Sequence, residues 1–307
     1  MKYTEEELKQ ADLEIQKLIE SGKYKQLGFE VVNSINNIEL SDKCINMCEY
    51  TLELYLEYME ALFNLDENTR LNYLQTLKTE DIINNQKLEK EDSFLLALSL
   101  NLSKKHAIDL LLQNKITNFK ELITIYETLM KNTSSEHKVN KGFRNNNRKY
   151  VGEIVDGQRI IQYFPLDYKN IEKVMNIILQ FYNEKSNKYS ELLFIKPIIV
   201  HGLIAAYQPF DDGNTRFARL LQHVKIFDLS NEKTDYKLDL PSLYCSKTYY
   251  PYSQEYRNLI KKIVLSADSN SWNEWIIFNL KRFQEAIYYN MNKIEEINNL
   301  NNNKKTK

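Results

Sequence analysis

The sequence predicts a mostly α-helical protein with one β-hairpin and a helical N-terminal extension. Three observations point there. Glycine (7) and proline (5) are scarce in 307 residues, and the first proline is Pro165, so the first half carries no strong helix breaker. Apolar residues recur at helical spacing along most of the chain. One Asp-Gly pair, Asp156-Gly157, sits between two β-rich runs and is a strong short-range hairpin signal.

Residues 4–21 place Leu8, Ala11, Ile15, Leu18 and Ile19 on one helical face. Residues 43–63 repeat the pattern, with Ser41-Asp42 as the N-terminal cap. Cys44 and Cys48 fall one turn apart there. They read as half a metal site or as two small buried hydrophobes, and the absence of a following ligand pair favours the second. Helices follow at 91–112 and 117–131, the latter capped by Asn118 with Glu121 at its third position. The polar stretch 132–148, with His137, reads as loop. Tyr150–Tyr163 forms the hairpin, and a lone hairpin in an α protein is a surface flap rather than a core. Beyond Pro165, Asp167 caps a helix at 168–183. Pro197 suits the first turn of a helix running to Tyr207, Pro209 stops it, and another helix runs from Gly213 to about Leu229. Leu240–Tyr250 reads as a turn-rich connector before helices at 256–265 and 272–287. From Asn298 the tail is Asn/Lys-rich and predicted to fray. The expected division is an extension over 1–78, a main domain over 79–290 and a low-complexity tail over 291–307.

Lys+Arg (41) and Asp+Glu (42) leave a net charge of −1, which argues against a globally basic nucleic-acid binder. The charged start, MKYTEEELKQ, lacks a leader's apolar stretch, and no apolar run reaches the length of a membrane span. Three cysteines, an odd and low number for so long a chain, suggest a reducing compartment. Together these predict a cytoplasmic protein.

The chemistry concentrates in Gln208-Pro-Phe-Asp-Asp-Gly-Asn-Thr-Arg-Phe-Ala-Arg219, a loop that opens a helix. Gly213 permits a tight turn and Asn214 tolerates unusual backbone angles. The first N–H groups of the new helix can converge on an anion. Arg216 and Arg219, three residues apart, share the face of its first turns and suit phosphate. Asp212 can hold a divalent cation bridging phosphates.

This stretch resembles the Fic (Fido-fold) family motif His-Pro-Phe-x-Asp/Glu-Gly-Asn-Gly-Arg-x-x-Arg. Pro209, Phe210, Asp212, Gly213, Asn214, Arg216 and Arg219 match it position by position. Gly142-Phe-Arg144 ahead of the hairpin resembles the family's glycine-to-arginine element and its target-aligning flap. His201, the run Leu240–Ser246, Tyr256 and Trp272–Trp275 extend the likeness over roughly 79–290. The resemblance implies a helical Fic core that binds ATP and Mg²⁺ and transfers AMP to hydroxyls of a target protein bound at the flap. It places Gln208 at the position of the catalytic base, with Asn214 and Arg216 beside it. It also implies Gly213, Asn214, Thr215, Arg216 and Arg219 as the phosphate cradle and Asp212 as the metal ligand.

Three departures alter the reading. Gln208 replaces the motif histidine, and a neutral amide cannot accept the proton of an attacking hydroxyl. Thr215 replaces the second motif glycine, and Ala205 stands where relatives often carry Glu. His201, two turns earlier at ~10 Å along the axis, is out of reach and reads as a core residue. Asp211 is the remaining candidate base. The family's inhibitory helix, Ser/Thr-x-x-x-Glu-Gly/Asn, has two weak counterparts: Thr79–Asn84, with Ile83 for the glutamate, and Thr76–Asp81, which keeps Glu80. The leading expectation is a nucleotide-binding Fic protein with weak or lost transferase activity that works through a partner protein. The alternatives are a nucleotidyl- or phosphotransferase with a non-standard base, and a non-catalytic interaction module.

Overall fold

Helix α8 (Ile195–Tyr207) is the axis of the molecule, and all 13 of its residues are buried. In the computed structural model, which describes residues 4–88, 105–112, 116–131, 133, 136, 142–155, 158–185 and 187–305, the other helices are arranged around it. α9 (Asn214–Lys233) runs back along α8, and α7 (Ile171–Asn183), α11 (Ser253–Ser266) and α12 (Ser269–Lys305) close its remaining sides. No polar stripe is needed on α8, which is why its sequence is almost continuously apolar.

Gly202 lets α12 come close. A Cβ there would lie 2.8 Å from Trp275 Nε1 and 3.0 Å from Trp272 Cζ3. Both indoles are fully buried, and the Trp275 N–H donates to the Ile198 carbonyl at 3.0 Å.

The N-terminal region is α1 (Glu5–Glu20), α2 (Glu30–Ser34), α3 (Asp42–Phe63) and α4 (Glu67–Leu88). α1 is capped by Thr4 in a reciprocal arrangement with Glu7, and α3 by Ser41 as the sequence predicts. α3 lies along α12. Cys44 and Cys48 are buried in that contact, where desolvation pushes the Cys44 thiol up to about 11 and the Cys48 thiol up to about 12. Both are buried small side chains and read as packing residues.

Several expectations are corrected. α4 is longer than the inhibitory-helix candidates over 76–84 imply, and it runs unbroken past position 78/79. Its buried stripe is Tyr73, Leu74, Leu77, Lys78, Asp81 and Ile82. Two charged residues in that stripe hide the helical period. Each is satisfied: Lys78 pairs with Asp109 at 3.0 Å, and Asp81 Oδ1 accepts from the Ser246 N–H at 3.1 Å. The extension also shares the main core, since Val32 N–H donates to the Tyr207 hydroxyl at 2.9 Å and the Trp272 indole donates to Ser34 Oγ at 2.9 Å. The connector 240–250 contains a short helix, α10 (Ser246–Tyr249), against which α4 docks. The expected fraying at Asn298 is not seen, because α12 stays helical to Lys305. Asn290 and Ile294, beyond the predicted end at Ile287, are still buried, and no Gly or Pro interrupts the run.

Of the expected helix 91–112, residues 105–112 (α5) are helical and the rest lies outside the described residues. α6 (Phe119–Met130) is capped by Asn118, which accepts from the Glu121 N–H at 3.0 Å. His137 and the Asp156-Gly157 turn lie outside the described residues. The hairpin itself is β1 (Val151–Val155) paired antiparallel with β2 (Gln158–Tyr163), with Val155 opposite Gln158. Residues 25–27 reach round to pair with Phe164 at its base. Among the described residues no helix is long and apolar enough to cross a membrane.

Gly202→Ala pushes a methyl group into two indoles. The expected loss is ~1–3 kcal/mol of unfolding free energy, as for other overpacked cores, read by chemical denaturation. An unchanged midpoint would remove Gly202 as the device that sets the α8–α12 spacing.

Candidate functional site

The site is the six-residue link between α8 and α9. α8 ends because Gln208 turns into the left-handed region, at φ 48° and ψ 58°, and Pro209 forbids its continuation. Gly213 then takes φ 69° and starts α9 with no side-chain cap. Glycine is required there on two counts: the positive φ, and Met130 of α6, whose Sδ would lie 2.2 Å from a Cβ.

Between these turns the loop is closed by two amides. Asn214 Oδ1 accepts from the Phe210 N–H at 2.8 Å, and its Nδ2 donates to the Phe210 carbonyl at 2.8 Å and to Gln208 Oε1 at 3.1 Å. Gln208 Nε2 turns back to the Ala205 carbonyl at 2.7 Å, an acceptor that the end of α8 leaves over. The Asn214 side chain is therefore fully used in holding the loop. Its buried side chain (2 % exposed) makes it a loop-closing residue, and only its backbone is part of the helix start.

Phe210 anchors the loop to α6. It stacks on Tyr126 at 3.6 Å and 5° between planes, with Phe143 and Phe217 at its sides. The Tyr126 hydroxyl donates to the Asp212 carbonyl at 2.8 Å. Asp212 Oδ1 accepts from the Gly213 N–H at 2.7 Å.

Arg144 ties this loop to the hairpin. Its backbone N–H donates to the Pro209 carbonyl at 2.9 Å and its Nε to the Gln208 carbonyl at 3.0 Å. Nη1 donates to the Asn146 carbonyl at 2.9 Å, and Nη2 to the Leu166 carbonyl just after β2. The guanidinium is buried, and desolvation lowers its pKa to about 10. Two more bonds fix the flap: Lys149 Nζ to the Asp211 carbonyl at 2.7 Å, and the Tyr163 hydroxyl to the Ala206 carbonyl at 3.1 Å. The base of the hairpin is thus beside the 208–219 loop.

Arg216 and Arg219 are 6 % and 3 % exposed, so they are not solvated cap residues. Arg216 Nη1 lies 3.8 Å from Met130 Sδ. Arg219 is close enough to His201 to act on it. Burial first, and then the Arg219 charge, hold the His201 imidazole well below its usual pKa. His201 sits in a closed network, as the core reading expects: Nδ1 meets Gln222 Oε1 at 3.1 Å and Nε2 meets the Tyr256 hydroxyl at 2.9 Å. Gln222 Nε2 donates to Asn279 Oδ1 at 3.3 Å, so its oxygen faces His201. His201 therefore carries its proton on Nδ1 and is no candidate base.

The structure brings Gln208, Asp212, Gly213, Asn214, Thr215 and Arg216 together at the opening of α9, with Arg219 one turn on. Nothing in the local residue pattern marks Tyr126, Met130 and Lys149, which support the loop from α6 and the flap. Both candidate inhibitory registers fall on α4. There Ile83 is exposed and Glu80 accepts from the Tyr289 hydroxyl of α12 at 3.2 Å.

Two outcomes follow. Arg144→Ala removes several buried bonds at once and is expected to cost ~3 kcal/mol, with faster amide exchange through 150–166. Arg144→Lys does not restore it, because a lysine has no fork of donors. If exchange in the hairpin is unchanged, Arg144 does not couple it to the loop. The second concerns pH. In the unfolded chain His201 titrates near ~6.5, whereas the folded state keeps it neutral. Its contribution to stability is thus complete above that pH and is lost as pH falls below it. Denaturation midpoints at a series of pH values should decline below ~6.5, and His201→Gln should flatten that decline.

Residues 116–225 match the family model for the Fic/DOC family. Three solved structures share the fold. A Fic domain containing signaling protein from Bacteroides thetaiotaomicron VPI-5482 superposes at TM-score 0.61 and 11 % identity, covering 80 % of this chain and 97 % of its own. A Fic family protein from Desulfovibrio desulfuricans G20 gives TM-score 0.55 at 16 % identity over 83 % and 76 %. Fic-1 from C. elegans gives 0.53 at 14 % over 82 % and 73 %.

Proposed function

The chain is a Fic-domain protein, and from that premise we propose that it binds a nucleotide through the opening of α9 and has weak or no AMP-transferase activity of its own. One observation carries this reading. The position of the base holds a neutral amide whose two ends are spent on Asn214 and Ala205, while both motif arginines remain buried at the helix start. Positive charge for phosphate is kept and the proton acceptor is not.

The residues present fit a nucleotide phosphate with a divalent cation. Gly213 opens α9 in a backbone conformation that no side chain caps, Arg216 and Arg219 follow within two turns, and the Asp212 carboxylate is next to Gly213. Arg216 and Arg219 would hold phosphate oxygens, with Thr215 at the rim, and Asp212 would hold Mg²⁺. The cation, when bound, neutralises phosphate charge. The chain's own part is to bind and orient. Gln208 positions a hydroxyl by hydrogen bonding at most. The hairpin, fixed by Arg144, Lys149 and Tyr163, would align an extended segment of a partner protein by strand pairing.

Calorimetry with ATP and Mg²⁺ is expected to show saturable binding that Arg216→Ala weakens about ten- to a hundredfold. An unchanged affinity would reject the phosphate site. Incubation with labelled ATP and lysate should leave the native chain near background. Gln208→His is expected to raise transfer toward the ~10²–10⁴-fold that a general base supplies, with Thr215→Gly added where the threonine crowds the phosphates. A native chain as fast as Gln208→His would overturn the weak-transferase reading and direct attention to Asp211.

A further inference from the structure

A small cleft, with about 30 Å³ of free space left beside the Lys247 side chain, lies between α4, α10 and α12, away from the α8–α9 loop. Its lining includes apolar Leu77 and Ala286 and polar Glu80, Asp81, Tyr244 and Tyr289. Asp81 is 3 % exposed and already engaged, with Oδ1 taking the Ser246 N–H and Oδ2 3.9 Å from His223 Nδ1. Tyr244 is 8 % exposed, and its hydroxyl has no hydrogen-bond partner among the described residues. A buried phenol in that state is costly unless something in the cleft completes it. The Tyr289 hydroxyl donates to Glu80 Oε2 at 3.2 Å, which fixes both the carboxylate and the ring. Over that ring, 3.3 Å from its centroid, lies the ammonium of Lys247, an exposed residue on the rim.

We infer that this cleft is a binding site for an alkylammonium group, with Lys247 as its resident stand-in. Two carboxylates repel an anion. Among the described residues no group of three or more His, Cys, Asp or Glu is placed to hold a metal ion. An ammonium has the donors that Glu80 and the Tyr244 oxygen accept, Asp81 adds negative charge behind them, and its own charge suits the aromatic face. A methylene stem fits Leu77 and Ala286. The Lys247 ammonium on Tyr289 already displays the preference, and its long flexible stem can yield the place. The source is either a free diamine or the side chain of a lysine on another protein.

The test is calorimetry on the full chain with 1,5-diaminopentane, with pentan-1-ol as the neutral match and Nα-acetyl-lysine amide as the side-chain mimic. Saturable binding of the diamine and none of the alcohol is expected. Lys247→Ala should tighten it about two- to fivefold, by removing the competing cation. Glu80→Gln, at a half-exposed position that leaves the fold intact, should weaken it about tenfold. Equal affinity for the lysine amide assigns the site to a protein side chain, and preference for the diamine assigns it to the free compound. Absence of saturable binding in both the native chain and Lys247→Ala, equal binding of the alcohol, or indifference to Glu80→Gln would each overturn the inference.

Discussion

The arrangement depends on one buried guanidinium. The α8–α9 loop makes no regular secondary structure, so its carbonyls need partners from elsewhere. Arg144 supplies them from outside both helices, with its Nε on the Gln208 carbonyl and its own N–H on that of Pro209, while its far nitrogen holds Leu166. The planar fork of arginine suits this better than any other side chain, because it directs several donors at fixed angles from one rigid group. Loop and hairpin are thereby built as one unit, and the flap's position is a consequence of how the loop is satisfied.

Around that point the loop is shaped by close approach rather than by charge. Phe210 is stacked on Tyr126 and edged by Phe143 and Phe217, and Met130 comes so near Gly213 that no side chain fits. Aromatic stacking and the left-handed turns at Gln208 and Gly213 together set the backbone path into α9.

The replacement at Gln208 is consistent with its surroundings. Its amide both donates and accepts, and it links the last carbonyls of α8 to the Asn214 amide that closes the loop. The side chain at this position thus serves as a loop tie. Beneath it, His201 is locked as a neutral donor to Gln222, so the nearest imidazole adds order to the core and no proton chemistry.

Much of this was legible in the sequence. The helices with clean apolar stripes and polar caps, such as α1, α3 and α6, follow from spacing and from Thr4, Ser41 and Asn118, because caps and periodicity are local. The Gln208–Arg219 segment announced itself through residue types packed into twelve positions. α4 did not, since Lys78 and Asp81 lie in its buried stripe, and partners distant in sequence, among them Asp109, Ser246 and His223, offset the cost of burying them. Nor did Tyr126, Met130 or the use of Asn214 as a loop tie. Local pattern determined which segments are helical and where the α8–α9 loop and its two arginines lie. Tertiary contact decided which side chains close that loop and which support it from α6 and the hairpin, because that depends on partners brought together from remote parts of the chain.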